Sequence, residues 1–310
     1  MPGPVRNLVI VHSPPSEDIS DWLEVSRRIG EQAPDIEVRI ANNFAPSSTT
    51  AKWQIKRPSL VFAASNLSVF RPRGGTIYAG HPMSKFDQIN RLAQKGIPVP
   101  RTMPLTRGTA PIAAQMAPYL IVKPVGGGSG KGIRLVNSSE LAARCDELIS
   151  PGQLPMIVQP YIDHSVDGYP TEYRVLTMFG QALYAACNRW GAPRPPLKQI
   201  AADPAGVIAS NNRQFGRVRT ITNDQEVIEF GKRAHAAFPE CAVLGVDVIR
   251  ETGTGKLYAL EVNPEGRTWH FSSRLGKTFT PEHSRDLYAQ FSALDRVAQL
   301  LIEKTRAHAA

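Results

Sequence analysis

The sequence predicts an α/β protein in which a small parallel-sheet unit precedes a larger α+β region, and three observations lead there. Residues 5–80 alternate short apolar strands with an amphipathic helix, the pattern of strands joined by helical crossovers. A glycine-rich turn, 126–132, lies between two strand-like runs instead of opening a helix. Near the C-terminus, two adjacent apolar runs each carry acidic or amide side chains at alternating positions.

In order along the chain, Arg6–Val11 reads as a short buried strand. Trp22, Val25 and Ile29 are spaced as on one helical face over Asp21–Ile29. Ile36–Ile40 alternates as a strand does, and Leu60–Ala63 is a third apolar run. A helix is expected over Ser84–Lys95, capped by Ser84 and ended by Gly96, before the extended Ile97-Pro98-Val99-Pro100. Tyr119–Val122 and Ile133–Val136 read as strands on either side of the glycine-rich turn, Leu141–Ile149 as a helix and Met156–Val158 as a strand. Glu172–Met178 and Ala182–Ala186 form an expected hairpin, turning at Phe179-Gly180-Gln181. Ala192–Arg219 is rich in proline and basic residues and reads as a long loop. A helix over Asp224–Phe238, strands over Ala242–Arg250 and Lys256–Val262, and an amphipathic helix over Ser284–Thr305 complete the chain. Three units are expected: residues 1–80, 81–155 and 156–310.

The composition is that of a soluble globular protein, with 42% hydrophobic and 20% charged residues among 310. No apolar run reaches the ~20 residues a membrane span requires, and the N-terminal apolar stretch Leu8–Val11 is too short for a signal peptide. Cys145, Cys187 and Cys241 lie far apart, without a CxxC or Cys/His cluster, which argues against structural zinc and for a reducing, cytoplasmic setting. The net charge of +9 suggests an anionic partner. Between Arg189 and Arg219 stand Arg189, Arg194, Lys198, Arg213, Arg217 and Arg219 against the single acid Asp203. The stretch has few aromatics and no nucleic-acid-binding signature, so a nucleotide-using enzyme with an acidic substrate accounts for the charge better than nucleic acid; a solvated basic face explains it equally.

Two groups of residues carry chemistry. Lys123-Pro-Val-Gly-Gly-Gly-Ser-Gly-Lys131-Gly132 offers a flexible run of backbone N–H groups between two lysines, suited to closing over phosphate oxygens. A strand follows it, so it is neither a Walker A loop nor a dinucleotide fingerprint; the bland alternative is a mobile hairpin. Asp247, Glu261 and Asn263 alternate with apolar residues on neighbouring strands and provide the hard oxygen ligands that Mg²⁺ prefers. Carboxylates on a mostly apolar strand are costly unless a cation neutralises them, which makes an exposed edge face the weaker reading.

In this order and spacing, residues 84–275 resemble the ATP-grasp superfamily, and residues 5–80 resemble the α/β domain that precedes it there. The resemblance implies an ATP-grasp fold and an ATP-dependent ligase that uses ATP with Mg²⁺ or Mn²⁺. It makes Lys85 and Lys123 phosphate contacts, and Gly127, Gly128, Ser129, Gly130 and Lys131 part of the covering loop, expected to order over ATP. Gln159, Tyr161 and Ile162 match the hinge whose backbone meets adenine, although Pro160 stands where many members have an acid. Glu172 matches the ribose-binding acid, and Arg174 and Arg189 match arginines near the γ-phosphate and acyl phosphate. Asp247, Glu261 and Asn263 match the metal ligands. Beyond Asn263 the chain departs from glutathione synthetases and D-alanine–D-alanine ligases. There Arg267 resembles an arginine of carbamoyl-phosphate synthetases and biotin carboxylases. His270 is a general-base candidate, though a histidine beside a tryptophan is more often structural.

The expected reaction joins a small-molecule or peptide carboxylate to an amine through an acyl phosphate, without a membrane partner. The alternatives are a bicarbonate-using carboxylase, a peptide-modifying ester or amide former, and a nucleotide-binding module without catalysis. The sequence leaves a homo-oligomer open.

Overall fold

The computed structural model describes residues 5–45, 57–128, 130–150, 154–203, 208, 216–266, 268–273 and 286–310. Its first sheet is fully parallel. β1 (Arg6–His12) lies between β2 (Ile36–Asn42) and β3 (Ser59–Ala63), and β4 (Thr76–Tyr78) extends the order to β2-β1-β3-β4. The helix α1 (Ile19–Gln32) starts where the Asp18 side chain accepts from the Ser20 N–H, and it buries Trp22, Val25 and Ile29 against the sheet. Each fully buried side chain of this size contributes about 1.5–3 kcal/mol.

The second sheet is antiparallel, in the order β5-β8-β6-β7, from β5 (Met103–Pro104), β6 (Tyr119–Pro124), β7 (Arg134–Asn137) and β8 (Met156–Pro160). β8, expected to open the third unit, pairs with β6 over Leu120–Pro124 and so belongs to this middle sheet. The helix α2 (Lys85–Gln94) leads into the unit, with Ser84 as the expected cap; α3 (Ala110–Ala113) and α4 (Leu141–Leu148) cover one face of its sheet with Leu120, Val122, Val136 and Val158.

The third sheet is the largest. β9 (Ser165–Val166) flanks a long hairpin of β10 (Tyr169–Met178) and β11 (Gln181–Trp190), which turns at Phe179 and Gly180, both at positive φ. The rest of its order, β12-β11-β10-β13-β14, is filled by β12 (Arg217–Ile221), β13 (Val243–Arg250) and β14 (Leu257–Asn263). The expected long loop thus contains a short helix, α5 (Leu197–Ala202), and the edge strand β12. The helix α6 (Gln225–His235), capped by Asp224, packs on one face against Val175 and Ala185 through Val227 and Ile228.

The C-terminal helix is not continuous as expected. A helical turn at 286–289 is separated from α7 (Ala293–His308) by Ser292, which is left-handed at φ 49°. The break has a cause in hydrogen bonding: the Gln290 side chain accepts from the Ala185 N–H and donates to the Thr222 carbonyl, pinning the turn to the sheet. α7 then packs across α1 and β3, so the end of the chain closes the first unit's core through Val297 and Leu301.

Candidate functional site

The site grows from strand register. Arg174 on β10 pairs with Asp247 on β13, and Asp247 lies opposite Glu261 on β14; Asn263 lies opposite Gly245. Directly opposed residues point to the same face, so one face of the sheet presents Arg174, Asp247, Glu261 and Asn263 in a row. Arg174 donates through Nε and Nη2 to the two Asp247 oxygens, at 2.6 Å each. Asn263 Nδ2 lies 3.3 Å from Asp247 Oδ2. Burial alone would raise the Asp247 carboxyl, but the Arg174 guanidinium holds it below its usual range. Gly245 keeps the row open: a Cβ there would meet Thr268 Cγ2 at 2.6 Å.

Two lysines reach the same place from other elements. Lys85, at the first turn of α2 and 8% exposed, sets Nζ 2.5 Å from Glu261 Oε2. Its backbone N–H donates to Val125 O, which ties the start of α2 to the glycine-rich segment. Lys123, on β6 and 5% exposed, lies 3.4 Å through Nζ from the Leu260 carbonyl, beside Glu261. Burial pushes its ammonium down to about 8, with Glu261 opposing and Lys85 adding to the shift. The middle and large sheets therefore face each other across a cluster of two lysines, an arginine and two carboxylates.

The glycine-rich segment follows β6. Gly127 and Gly130 adopt φ of 85° and 69°, and the Lys131 N–H donates to Gly128 O at 3.3 Å. Ser129 lies outside the described residues. At the hinge after β8, Gln159 donates to Thr102 Oγ1 at 2.8 Å, the Tyr161 N–H donates to Tyr119 O, and Ile162 O accepts from His164 Nδ1. Arg194 stacks over the Tyr161 ring and pairs with Asp163 at 3.1 Å, features the sequence reading missed because the partners lie thirty residues apart in an unpatterned stretch. Glu172 lies opposite Asn188 on the face that holds Arg174.

The structure does not bring Arg189 to that face. The register of β10 with β11 shifts by one residue between Leu176 and Thr177, so Arg174 opposes Ala186 while Arg189 opposes Thr171 on the other side. The Arg189 guanidinium sits 4.2 Å from the Tyr169 ring centre instead. Arg267 falls outside the described residues. His270 is 1% exposed, with Nδ1 3.1 Å from the Tyr184 hydroxyl. Tyr184, whose hydroxyl burial pushes up to about 12, escaped the sequence reading because only the bulge turns it to the Arg174 face. The segment after Asn263 is tied to α1 by Asp21, which accepts from Trp269 Nε1 at 2.7 Å, Ser272 Oγ at 2.5 Å and the Tyr288 hydroxyl at 2.8 Å.

The profile of the ATP-grasp domain matches residues 83–268, which span α2, both later sheets and the charged face. The chain belongs to the ATP-grasp family. It is thereby an enzyme of the ADP-forming ligase class. Solved ATP-grasp structures share its fold. The D-cycloserine synthetase DcsG is 19% identical, with 95% of this chain and 99% of that chain covered and a TM-score of 0.53. The ATP-grasp ligase PsnB, complexed with a phosphomimetic precursor variant, Mg and ADP, is 16% identical, with 96% and 98% covered and a TM-score of 0.57. The macrocyclase MdnC from Microcystis aeruginosa MRC, bound with its precursor peptide MdnA, is 13% identical, with 96% and 99% covered and a TM-score of 0.54. At such identities the likeness carries the fold of an ATP-grasp protein. No curated protein matches the chain. Among the described residues, no helix is long and apolar enough to cross a membrane.

Proposed function

We propose that the chain activates a substrate carboxylate as an acyl phosphate at the expense of ATP and passes the acyl group to an amine, releasing ADP and phosphate. The observation that carries this reading is that Lys85 meets Glu261 and Lys123 meets the Leu260 carbonyl beside it, with Glu261 in a row with Asp247 and Asn263 on one sheet face. The donor set fits magnesium: two carboxylates and an amide carbonyl are hard oxygen ligands, and each carboxylate already holds a cationic group, Lys85 on Glu261 and Arg174 on Asp247. Glu261 is the better placed of the two, because it accepts from one lysine through Oε2, whereas both Asp247 oxygens are engaged by Arg174. Bound there, magnesium would offset the charge of the β- and γ-phosphates.

The protein's own work is positioning and charge neutralisation. Lys85 and Lys123 hold phosphate oxygens. The segment Gly127–Lys131 lays backbone N–H groups over them, and the backbone of Gln159–Ile162 borders the base, with Glu172 near the ribose. Arg174 balances the negative charge that develops as the substrate carboxylate attacks phosphorus. The amine then displaces phosphate, and no side-chain nucleophile is needed. The substrate is a small molecule or a peptide; the ATP-grasp structures of similar fold include a synthetase of D-cycloserine and a macrocyclase bound with a peptide.

The test is ADP release measured across carboxylic acids and amines. Glu261→Gln keeps a partner for Lys85 and should lower acid-dependent ADP release by at least a thousandfold, with an unchanged melting profile. Near-normal release in that variant would refute the metal and phosphate assignment.

A further inference from the structure

Each side chain that the reading above gives to the metal is engaged by another group of the protein. Arg174 takes both Asp247 oxygens at 2.6 Å. Asn263 turns its amide nitrogen to Asp247 Oδ2 at 3.3 Å and to the Gly245 carbonyl at 3.4 Å. Lys85 Nζ meets Glu261 Oε2 at 2.5 Å. The two ion pairs differ in origin. Arg174 and Asp247 stand opposite each other on β10 and β13, so strand register fixes their pairing. Lys85 and Glu261 come from different elements, α2 and β14.

The backbone of Lys85 is fixed beside Glu261. Its N–H donates to Val125 O, and one turn on, Gln88 Oε1 accepts from the Val262 N–H at 3.3 Å while Gln88 Nε2 donates to Met83 O at 3.0 Å. These bonds dock the first turn of α2 on β14, and the flexible four-carbon stem of the lysine can still carry its ammonium elsewhere. Where the ammonium stands, it competes with a metal ion. Magnesium sits about 2.0–2.1 Å from an oxygen ligand, so a metal on Oε2 would lie within about 5 Å of Lys85 Nζ. The two side chains are only 10% and 26% exposed, so water screens that repulsion poorly. A nucleotide removes the conflict, because its phosphate oxygens offer the ammonium another anionic partner.

We propose that Lys85 makes metal binding conditional on nucleotide: its ammonium closes Glu261 to a free divalent cation and opens it by moving to a phosphate, so that the enzyme selects the metal–nucleotide complex over the bare metal. This rests on the ligase reading above. Lysine suits the exchange, because a single ammonium on a long stem can pass between two anions, whereas the arginine fork on Asp247 is held by two parallel hydrogen bonds. By linkage, the factor by which nucleotide tightens the metal equals the factor by which the metal tightens nucleotide.

The experiment titrates Mn²⁺, a paramagnetic stand-in for Mg²⁺, into the full chain with and without saturating ADP. Free Mn²⁺ is read by electron paramagnetic resonance, with allowance for the Mn²⁺–ADP complex formed in solution. In the wild type, ADP should tighten Mn²⁺ binding at least tenfold. Without nucleotide, Lys85→Met should bind Mn²⁺ at least tenfold more tightly than the wild type, and adding Glu261→Gln should abolish that gain. Lys85→Gln, which keeps a neutral donor for Glu261, should show the same gain and serves in place of Lys85→Met if that variant does not fold. Lys85→Arg, which keeps the charge, should bind Mn²⁺ as weakly as the wild type. The proposal is overturned if the neutral variants bind Mn²⁺ no more tightly while ADP still tightens it in the wild type, if the gain survives Glu261→Gln, or if Lys85→Arg shares it. If ADP leaves Mn²⁺ binding to the wild type unchanged, the nucleotide reading itself falls, and this proposal with it.

Discussion

The two faces of the six-stranded sheet are made by the same strands and differ in almost every respect. On one face Val175, Val246, Val248 and Ala185 meet Phe230, Val227 and Ile228 of α6 in close apolar packing. On the other, one residue away along each strand, stand Arg174, Asp247 and Glu261. Strand alternation alone separates the two sets. The apolar face supplies free energy of folding, whereas the charged face draws on it, since desolvating ions offsets much or all of their mutual attraction. A row of paired charges on a partly buried face is better explained by what it binds than by what it stabilises.

The largest effect that would sharpen this contrast comes from removing one partner of the row. Asp247→Ala leaves Arg174 buried without its carboxylate and should cost about 3–5 kcal/mol, measured by denaturant unfolding. Arg174→Met in the same chain should recover most of that loss, because the stranded charge is gone; a double variant no more stable than Asp247→Ala would break the argument.

A smaller effect distinguishes a carboxylate paired with arginine from one that is not. Glu17 is buried near the ends of β1 and β3, where it accepts from Trp22 Nε1 at 2.7 Å and from Ser65 Oγ at 3.3 Å. Burial pushes its carboxyl up to about 7, with those hydrogen bonds opposing, the reverse of Asp247. A carboxyl raised in the folded state binds its proton more tightly there than in the unfolded chain. Its contribution is therefore fully present below the unfolded value of 4.5 and is lost as pH rises through about 7. Stability should fall by a few kcal/mol across that window relative to Glu17→Gln, which lacks the titration. Parallel pH profiles for the two proteins would show that Glu17 titrates normally.

The smallest effect lies on the apolar face. A Cβ at Gly231 of α6 would meet the Val175 side chain at 2.6 Å. Gly231→Ala should lower stability by about 1–3 kcal/mol through overpacking while leaving the KM for ATP unchanged, because the strain falls across the sheet from the charges. A raised KM would mean that the faces are not independent.

The parts legible in the sequence were those that periodicity or chemistry marks locally. Trp22, Val25 and Ile29 announce α1, and Ser84 announces the helix it caps. Asp247, Glu261 and Asn263 stand out as polar residues in apolar strands. What escaped depends on pairing between distant segments. The bulge after Leu176 sends Arg189 to the wrong face and Tyr184 to the right one, and no local pattern specifies it. β8 joins the middle sheet because β6 is its partner, and β12 becomes an edge strand because β11 is long enough to receive it. The break at Ser292 follows from Gln290 bonding to a strand more than a hundred residues earlier.

The central claim is that the charged face holds a magnesium nucleotide through Glu261. Titration calorimetry of ADP into the protein, with and without Mg²⁺, tests it most directly, using wild type and Glu261→Gln. The account predicts that Mg²⁺ tightens ADP binding at least tenfold in the wild type and has little effect in the variant. An equal effect of Mg²⁺ on the two proteins would contradict it.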